Sequence, residues 1–227
     1  MKKNIVLVSA VGFLALAMGS TVADAQDSKS EINFEAGDQV TKPVNPLDPT
    51  NPVVPSPIDP TDPSNGGTDQ KGPLSIDYVS NIKFGKQKIS GKDMTYSALN
   101  AAPFVQVTDL RGAGEGWNLS AKISDFSSIT NQLLKGATLS MKSSEVKAAS
   151  TGNVTKAPVQ SDITFDNKES KVVMNAANKS GRGTWVDVWA GTDQANEKVQ
   201  LKVVAGTAEA DTAYAATIIW ELADAPK

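Results

Sequence analysis

Tyr214-Ala-Ala-Thr-Ile-Ile-Trp-Glu-Leu222 is the stretch from which the chain is best read. Side chains alternate faces along a strand, so Tyr214, Ala216, Ile218, Trp220 and Leu222 fall on one apolar side. An earlier stretch, Trp117-Asn-Leu-Ser-Ala-Lys-Ile123, has the same construction, with Trp117, Leu119, Ala121 and Ile123 together. Each contains Trp-x-Leu, once as Trp117-Asn118-Leu119 and once as Trp220-Glu221-Leu222. In an extended chain that spacing sets an indole beside a branched apolar group. Two such pairs can meet in one sheet or form one surface. An apolar face of this kind is more often core than ligand site, and the pattern alone leaves both readings open.

Working outward, the region from Pro73 to Lys227 alternates apolar residues with breaks at Gly, Asn, Asp and Ser. The spacing predicts strands at Leu74–Val79, Phe104–Leu110, Trp117–Ile123, Thr138–Met141, Ile163–Phe165, Lys171–Met174, Thr184–Ala190, Lys198–Val204 and Tyr214–Leu222. Many short strands with turn residues between them specify a mainly all-β fold, a β-sandwich or barrel-like domain. One short helix is expected at Asp125–Lys135, where Phe126, Ile129 and Leu133 follow helical spacing behind Asp125 as N-cap, with Gly136 closing it.

Residues 43–72 have a different composition. Eight of the twelve prolines lie between Pro43 and Pro63, within the imperfect repeat Leu47-Asp-Pro-Thr50 and Ile58-Asp-Pro-Thr61. Proline fixes φ and removes a backbone donor, so helix and sheet interior are both closed to it. The expectation is a disordered, semi-rigid stalk of about 3.1 Å per residue, ending in the flexible joint Asn65-Gly-Gly-Thr68. Residues 26–42 form an acidic arm, in which Glu31-Ile-Asn-Phe34 is either flexible or an edge strand. Residues 1–25 have a basic start at Lys2 and Lys3, an apolar run from Ile5 to Gly19, and Ala23-Asp24-Ala25 as a cleavage pattern. They read as a secretory signal peptide. The run is shorter than the ~20 residues a spanning helix needs, so no transmembrane anchor is expected. The chain stops after Asp224-Ala-Pro-Lys227 without a sorting tail, so any surface retention is expected to be non-covalent.

The chain has no Cys and no His. That removes disulfides, thiol nucleophiles, Ser-His-Asp triads and Cys- or His-based metal sites. Twenty-two basic against 25 acidic residues, with no basic block, argue against nucleic acid as a partner. Ser80-Asn-Ile-Lys83 and Ser144-Glu-Val-Lys147 match Ser-x-x-Lys, but the Ser-Asp-Asn and Lys-Thr-Gly that accompany it in penicillin-binding enzymes are missing. No catalytic residue, cofactor or metal ligand is assigned, and an enzyme is not expected. Trp185-Val-Asp-Val-Trp189 carries the one local constellation of interest. Trp185, Asp187 and Trp189 share a face, as in a glycan platform where rings stack on sugar beside a carboxylate acceptor. The alternative is a buried strand with Asp187 paired to a neighbour.

Taken together, the signal peptide, the Asp-Pro-Thr-rich linker, the opening Gly72-Pro-Leu-Ser-Ile-Asp-Tyr-Val-Ser80 with Phe84-Gly85, the proximal Gly116-Trp-Asn-Leu119 and the terminal Trp220-Glu-Leu222 resemble the WxL-domain surface proteins of low-GC Gram-positive bacteria. The resemblance covers nearly the whole chain. It implies a secreted protein held at the cell wall by non-covalent binding to peptidoglycan, with a co-expressed wall-associated surface protein as a further partner. The alternative function is an assembly module that docks a second surface protein through the Trp-x-Leu face. The carry-over rests on Trp117, Leu119, Trp220 and Leu222, as ligand-binding or fold-defining residues.

Overall fold

A computed structural model describes residues 26–166 and 168–224. The signal-peptide reading falls on residues 1–25, outside that range. The chain divides at Phe34 into two units. The described part of the first, residues 26–34, contains no strand, so the edge strand considered at 31–34 is not formed. The second unit, from Glu35 onward, contains every strand among the described residues.

In chain order these are β1 (Leu74–Val79), β2 (Met94–Ala98), β3 (Phe104–Asp109), β4 (Trp117–Ile123), β5 (Thr138–Met141) and β6 (Glu145–Ala148). They are followed by β7 (Val159–Gln160), β8 (Ile163–Phe165), β9 (Lys171–Ala176), β10 (Gly183–Val188), β11 (Asn196–Val203) and β12 (Ile218–Ala223). Three four-stranded antiparallel sheets result, ordered β1-β3-β10-β6, β2-β11-β5-β8 and β12-β4-β9-β7. The fold is all-β and consistent with a sandwich. One continuous core joins inward residues from all three sheets, among them Val105, Val107, Leu119, Leu139, Met174 and Val199.

The expected helix at Asp125–Lys135 is not formed, and the described residues contain no helix at all. Ser128 takes the backbone donors a helix would use: its Oγ accepts from the N–H of Thr130 (3.3 Å) and of Gln132 (3.1 Å). Asn131 turns the chain with φ of 61°, and Ser127 bridges to Leu133 and Ala215. Ile129, one of the three periodic apolar residues, is fully exposed. Three matching positions over eleven residues were too few to overcome the cost of helix nucleation.

The Pro-rich segment is not a disordered stalk. Residues 43–72 form no strand, as proline requires, yet they lie along the outer face of the β1-β3-β10 sheet. Pro43, Pro46 and Pro49 are buried there. Val44 and Ile58 pack on a second apolar cluster of Tyr78, Phe104, Val186 and Val188, in which the Tyr78 and Phe104 rings stack at 4.3 Å. With no ladder to join, the segment finds its polar partners among side chains. Gln106 Oε1 accepts from Val44 N (2.9 Å), and its Nε2 donates to Lys42 O (3.1 Å) and Asp77 Oδ2 (2.9 Å). Farther along, Asn100 Nδ2 donates to Asp59 Oδ2 (2.6 Å), Asn65 Nδ2 to Val79 O (2.9 Å), and Thr68 N to Asp77 O (2.9 Å). Burial pushes the Asp77 carboxyl up, while hydrogen bonds from Ser75, Thr108 and Gln106 pull it back.

Candidate functional site

The two Trp-x-Leu motifs lie on adjacent antiparallel strands. Leu222 pairs with Leu119 and Trp220 with Ala121, so the terminal motif is laid directly against the proximal strand. Their environments differ. β4 is a central strand, flanked by β12 and β9, and Trp117 and Leu119 are fully buried. The Trp117 indole donates from Nε1 to Gly181 O at 3.0 Å, which satisfies the one polar atom it buries. Two glycines make that fit. A Cβ on Gly116, whose φ is 79°, would lie 2.3 Å from Ala176 O, and one on Gly181 would lie 2.7 Å from Trp117 Nε1.

β12 is an edge strand. Its residues alternate between half-buried and exposed, with Ile218, Trp220 and Leu222 turned toward the core and Ile219, Glu221 and Ala223 toward solvent. Arg111 ties the two motifs at one end. Its guanidinium is paired in a fork with Asp109 at 2.9 and 3.0 Å, and it also donates to Gly116 O (2.7 Å) and Asp224 O (3.2 Å). Gly116 leads into Trp117, and Asp224 follows β12.

Trp220 also lines an open cleft of about 1350 Å³. It is lined by residues of β2, β11 and β12, among them Tyr96, Leu201 and Trp220, and by the segments at 80–92 and 204–217, among them Ile82, Phe84 and Tyr214. The cleft combines ring faces and apolar surface with a polar rim, the composition expected of a ligand site. Lys86, Lys88 and Lys92 line it from the first segment, and Glu209 and Asp211 from the second. All five are exposed.

The glycan-platform residues are elsewhere. Trp185, Asp187 and Trp189 do share a face of the strand, but that face points into the core. Trp185 is 4% exposed, Trp189 1% and Asp187 0%. No ring is free to stack on a sugar, so this constellation is corrected to core. Trp185 Nε1 donates to Arg182 O at 3.0 Å. Asp187, opposite Val105 and Val146 on the neighbouring strands, has no hydrogen-bond partner for either oxygen. Burial pushes its carboxyl up to about 7. Ser144 lies near enough to lower the value slightly, without the geometry of a hydrogen bond. The Ser-x-x-Lys match at Ser80 is structural: Ser80 Oγ accepts from Phe104 N at 2.9 Å, and Lys83 leans toward Asp62 at 3.8 Å.

Sequence reasoning missed the cleft. A signal was present, because Ser80 to Lys92 contains four lysines and no acid, while Val204 to Thr217 contains two acids and no base. Among the described residues, no group of His, Cys, Asp or Glu is arranged to hold a metal ion, and no helix is long and apolar enough to cross a membrane.

The chain thus presents an all-β domain with an open cleft to which aromatic side chains contribute. A model of the WxL domain, described as surface cell wall-binding, matches residues 21–226. The chain therefore belongs to the WxL family of cell-surface, cell wall-binding domains. No curated protein and no solved structure matches it.

Proposed function

We propose that this domain attaches the protein non-covalently to peptidoglycan, and that the cleft lined by Trp220 is the attachment site. The observation that carries the reading is the position of Trp220. It is the one member of the two motifs' tryptophans that reaches both the core and an open cleft. On this reading Trp117 and Leu119 are fold-defining, Leu222 packs the edge strand against them, and Trp220 faces ligand. Ring stacking and hydrogen bonding supply the contact, without metal. The protein is secreted, held at the wall, and performs no turnover.

The test is a pull-down of the chain from residue 26 onward with purified sacculi stripped of other wall polymers, beside its Trp220→Ala variant, with thermal melts on both. The reading expects the parent to bind and the folded variant to lose most of its binding. A folded parent that does not sediment with sacculi overturns it, as does a variant that binds like the parent. Release of soluble wall fragments by the pure protein would contradict the absence of turnover.

The docking reading has one observation in its favour. β12 is an edge strand, and an edge can accept a strand from another protein. It predicts sedimentation with sacculi only when a second surface protein is supplied.

A further inference from the structure

We infer that the cleft takes the short peptide stem of peptidoglycan and not its sugar backbone. The stem's carboxylates would lie against Lys86, Lys88 and Lys92, and its free amine against Glu209 and Asp211. This rests on the reading of the cleft as the wall-attachment site and specifies which part of the wall enters it.

The argument starts from charge that is separated and unspent. Lysines of the 80–92 segment and carboxylates of the 204–217 segment both line the cleft, yet no ion pair joins the two segments among the described residues. Lys83 is paired with Asp62, but Lys86, Lys88 and Lys92 have no acidic partner among the described residues. Among the described residues the Glu209 carboxylate accepts from the neutral amide of Gln132, and Asp211 is held at φ of 54° in an exposed turn. Elsewhere on this surface some lysines find acids within reach, as with Lys122–Glu221, Lys168–Asp125 and Lys202–Asp93, and others, such as Lys142, Lys156 and Lys198, have none among the described residues. What sets the cleft apart is that exposed charges of both signs line one open space without pairing across it among the described residues.

A ligand complementary to this cleft is therefore zwitterionic, slender and partly apolar. The N-acetylated sugar backbone has ring faces but no charge once its lactyl groups are in amide linkage. The peptide stem has free carboxylates, an amine on its diamino acid and small aliphatic side chains suited to Ile82, Leu201 and the Trp220 ring. Charge complementarity of this sort confers orientation and selectivity beyond the apolar contact, and exposed pairs are screened by salt over about 8 Å at physiological ionic strength.

The experiment uses the chain from residue 26 onward and three preparations. These are stripped intact sacculi, the same material after an amidase has removed the stems from the glycan, and sacculi that retain their phosphate polymer. The parent is expected to bind the intact stripped sacculi, to lose binding to the amidase-treated glycan, and to be displaced by soluble stem peptide. A Lys86→Gln, Lys88→Gln, Lys92→Gln variant, altered only at exposed positions, is expected to melt like the parent. It should bind roughly tenfold or more weakly, with a flatter salt dependence. Equal binding to glycan with and without stems overturns the inference, and so does a triple variant that binds like the parent. Binding confined to the phosphate-bearing sacculi assigns the lysines to a different anion and also overturns it. If the parent binds no sacculi at all, the attachment reading itself fails, a result distinct from any of these.

Discussion

The same three-residue pattern occurs at Trp117–Leu119 and at Trp220–Leu222, hydrogen-bonded side by side, and the two copies do different work. The proximal copy lies on a strand paired along both edges, and its indole packs against Gly181 beside Ala176. The terminal copy lies on a strand paired along one edge, and its indole has the core behind it and a cleft before it. Alternation puts Trp and Leu on one side of a strand in both cases. What stands on that side is decided by how many neighbours the strand has.

The most damaging way to probe this difference is truncation at the proximal copy. Trp117→Ala removes a fully buried indole and leaves Gly181 O without its donor, so a loss of about 3–5 kcal/mol is expected. Chemical denaturation should find the variant close to unfolded. A variant of near-parental stability would mean that the proximal motif is not core.

Asp187 provides a second test, on the other aromatic strand. Its folded value of about 7 stands above its ordinary 3.8. The folded chain therefore keeps a proton that the unfolded chain releases. Its contribution to stability falls as pH rises from about 4 to about 7, then levels off. The full span is on the order of 4 kcal/mol at most. Asp187→Asn should flatten stability across that window and raise the melting temperature at pH 8. An unchanged pH profile would place a partner on the carboxylate and contradict its burial as an unpaired acid.

Trp220→Ala is the mildest for stability. A half-buried ring on an edge strand is expected to cost roughly 1–2 kcal/mol, measured by the same denaturation. A cost equal to that of Trp117→Ala would erase the distinction between the copies.

Much of the fold was legible in the sequence because alternation survives wherever one face is core. Val199 and Leu201 of β11, and Leu119 and Ala121 of β4, are buried as the pattern requires. β2, Met-Thr-Tyr-Ser-Ala, was missed because Met94 and Thr95 at its start are exposed and only Ala98 is buried. The Pro-rich segment was read correctly as unable to form strands and incorrectly as unpacked. Proline forbids a ladder, but Val44 and Ile58 still carry apolar surface, and Gln106, Asn100 and Asp59 supply the hydrogen bonds that a ladder would have given. Trp185, Asp187 and Trp189 were placed together correctly. Period two gives a shared face and no sign of whether that face is in or out. The cleft was illegible for another reason: two of the segments that line it lie more than a hundred residues apart, brought together only by the pairing of β2 with β11 and β12 with β4.

Acrylamide quenching of tryptophan fluorescence tests the central claim most directly, with soluble peptidoglycan fragments added and omitted. Of the four tryptophans, Trp117, Trp185 and Trp189 are buried and Trp220 is half-buried at the cleft. The account predicts that one class of indole is quenched, that Trp220→Phe abolishes it, and that the fragments shield it. Quenching that persists in Trp220→Phe, or that is unaffected by fragments under conditions where they bind, would contradict the assignment of Trp220 to the ligand site.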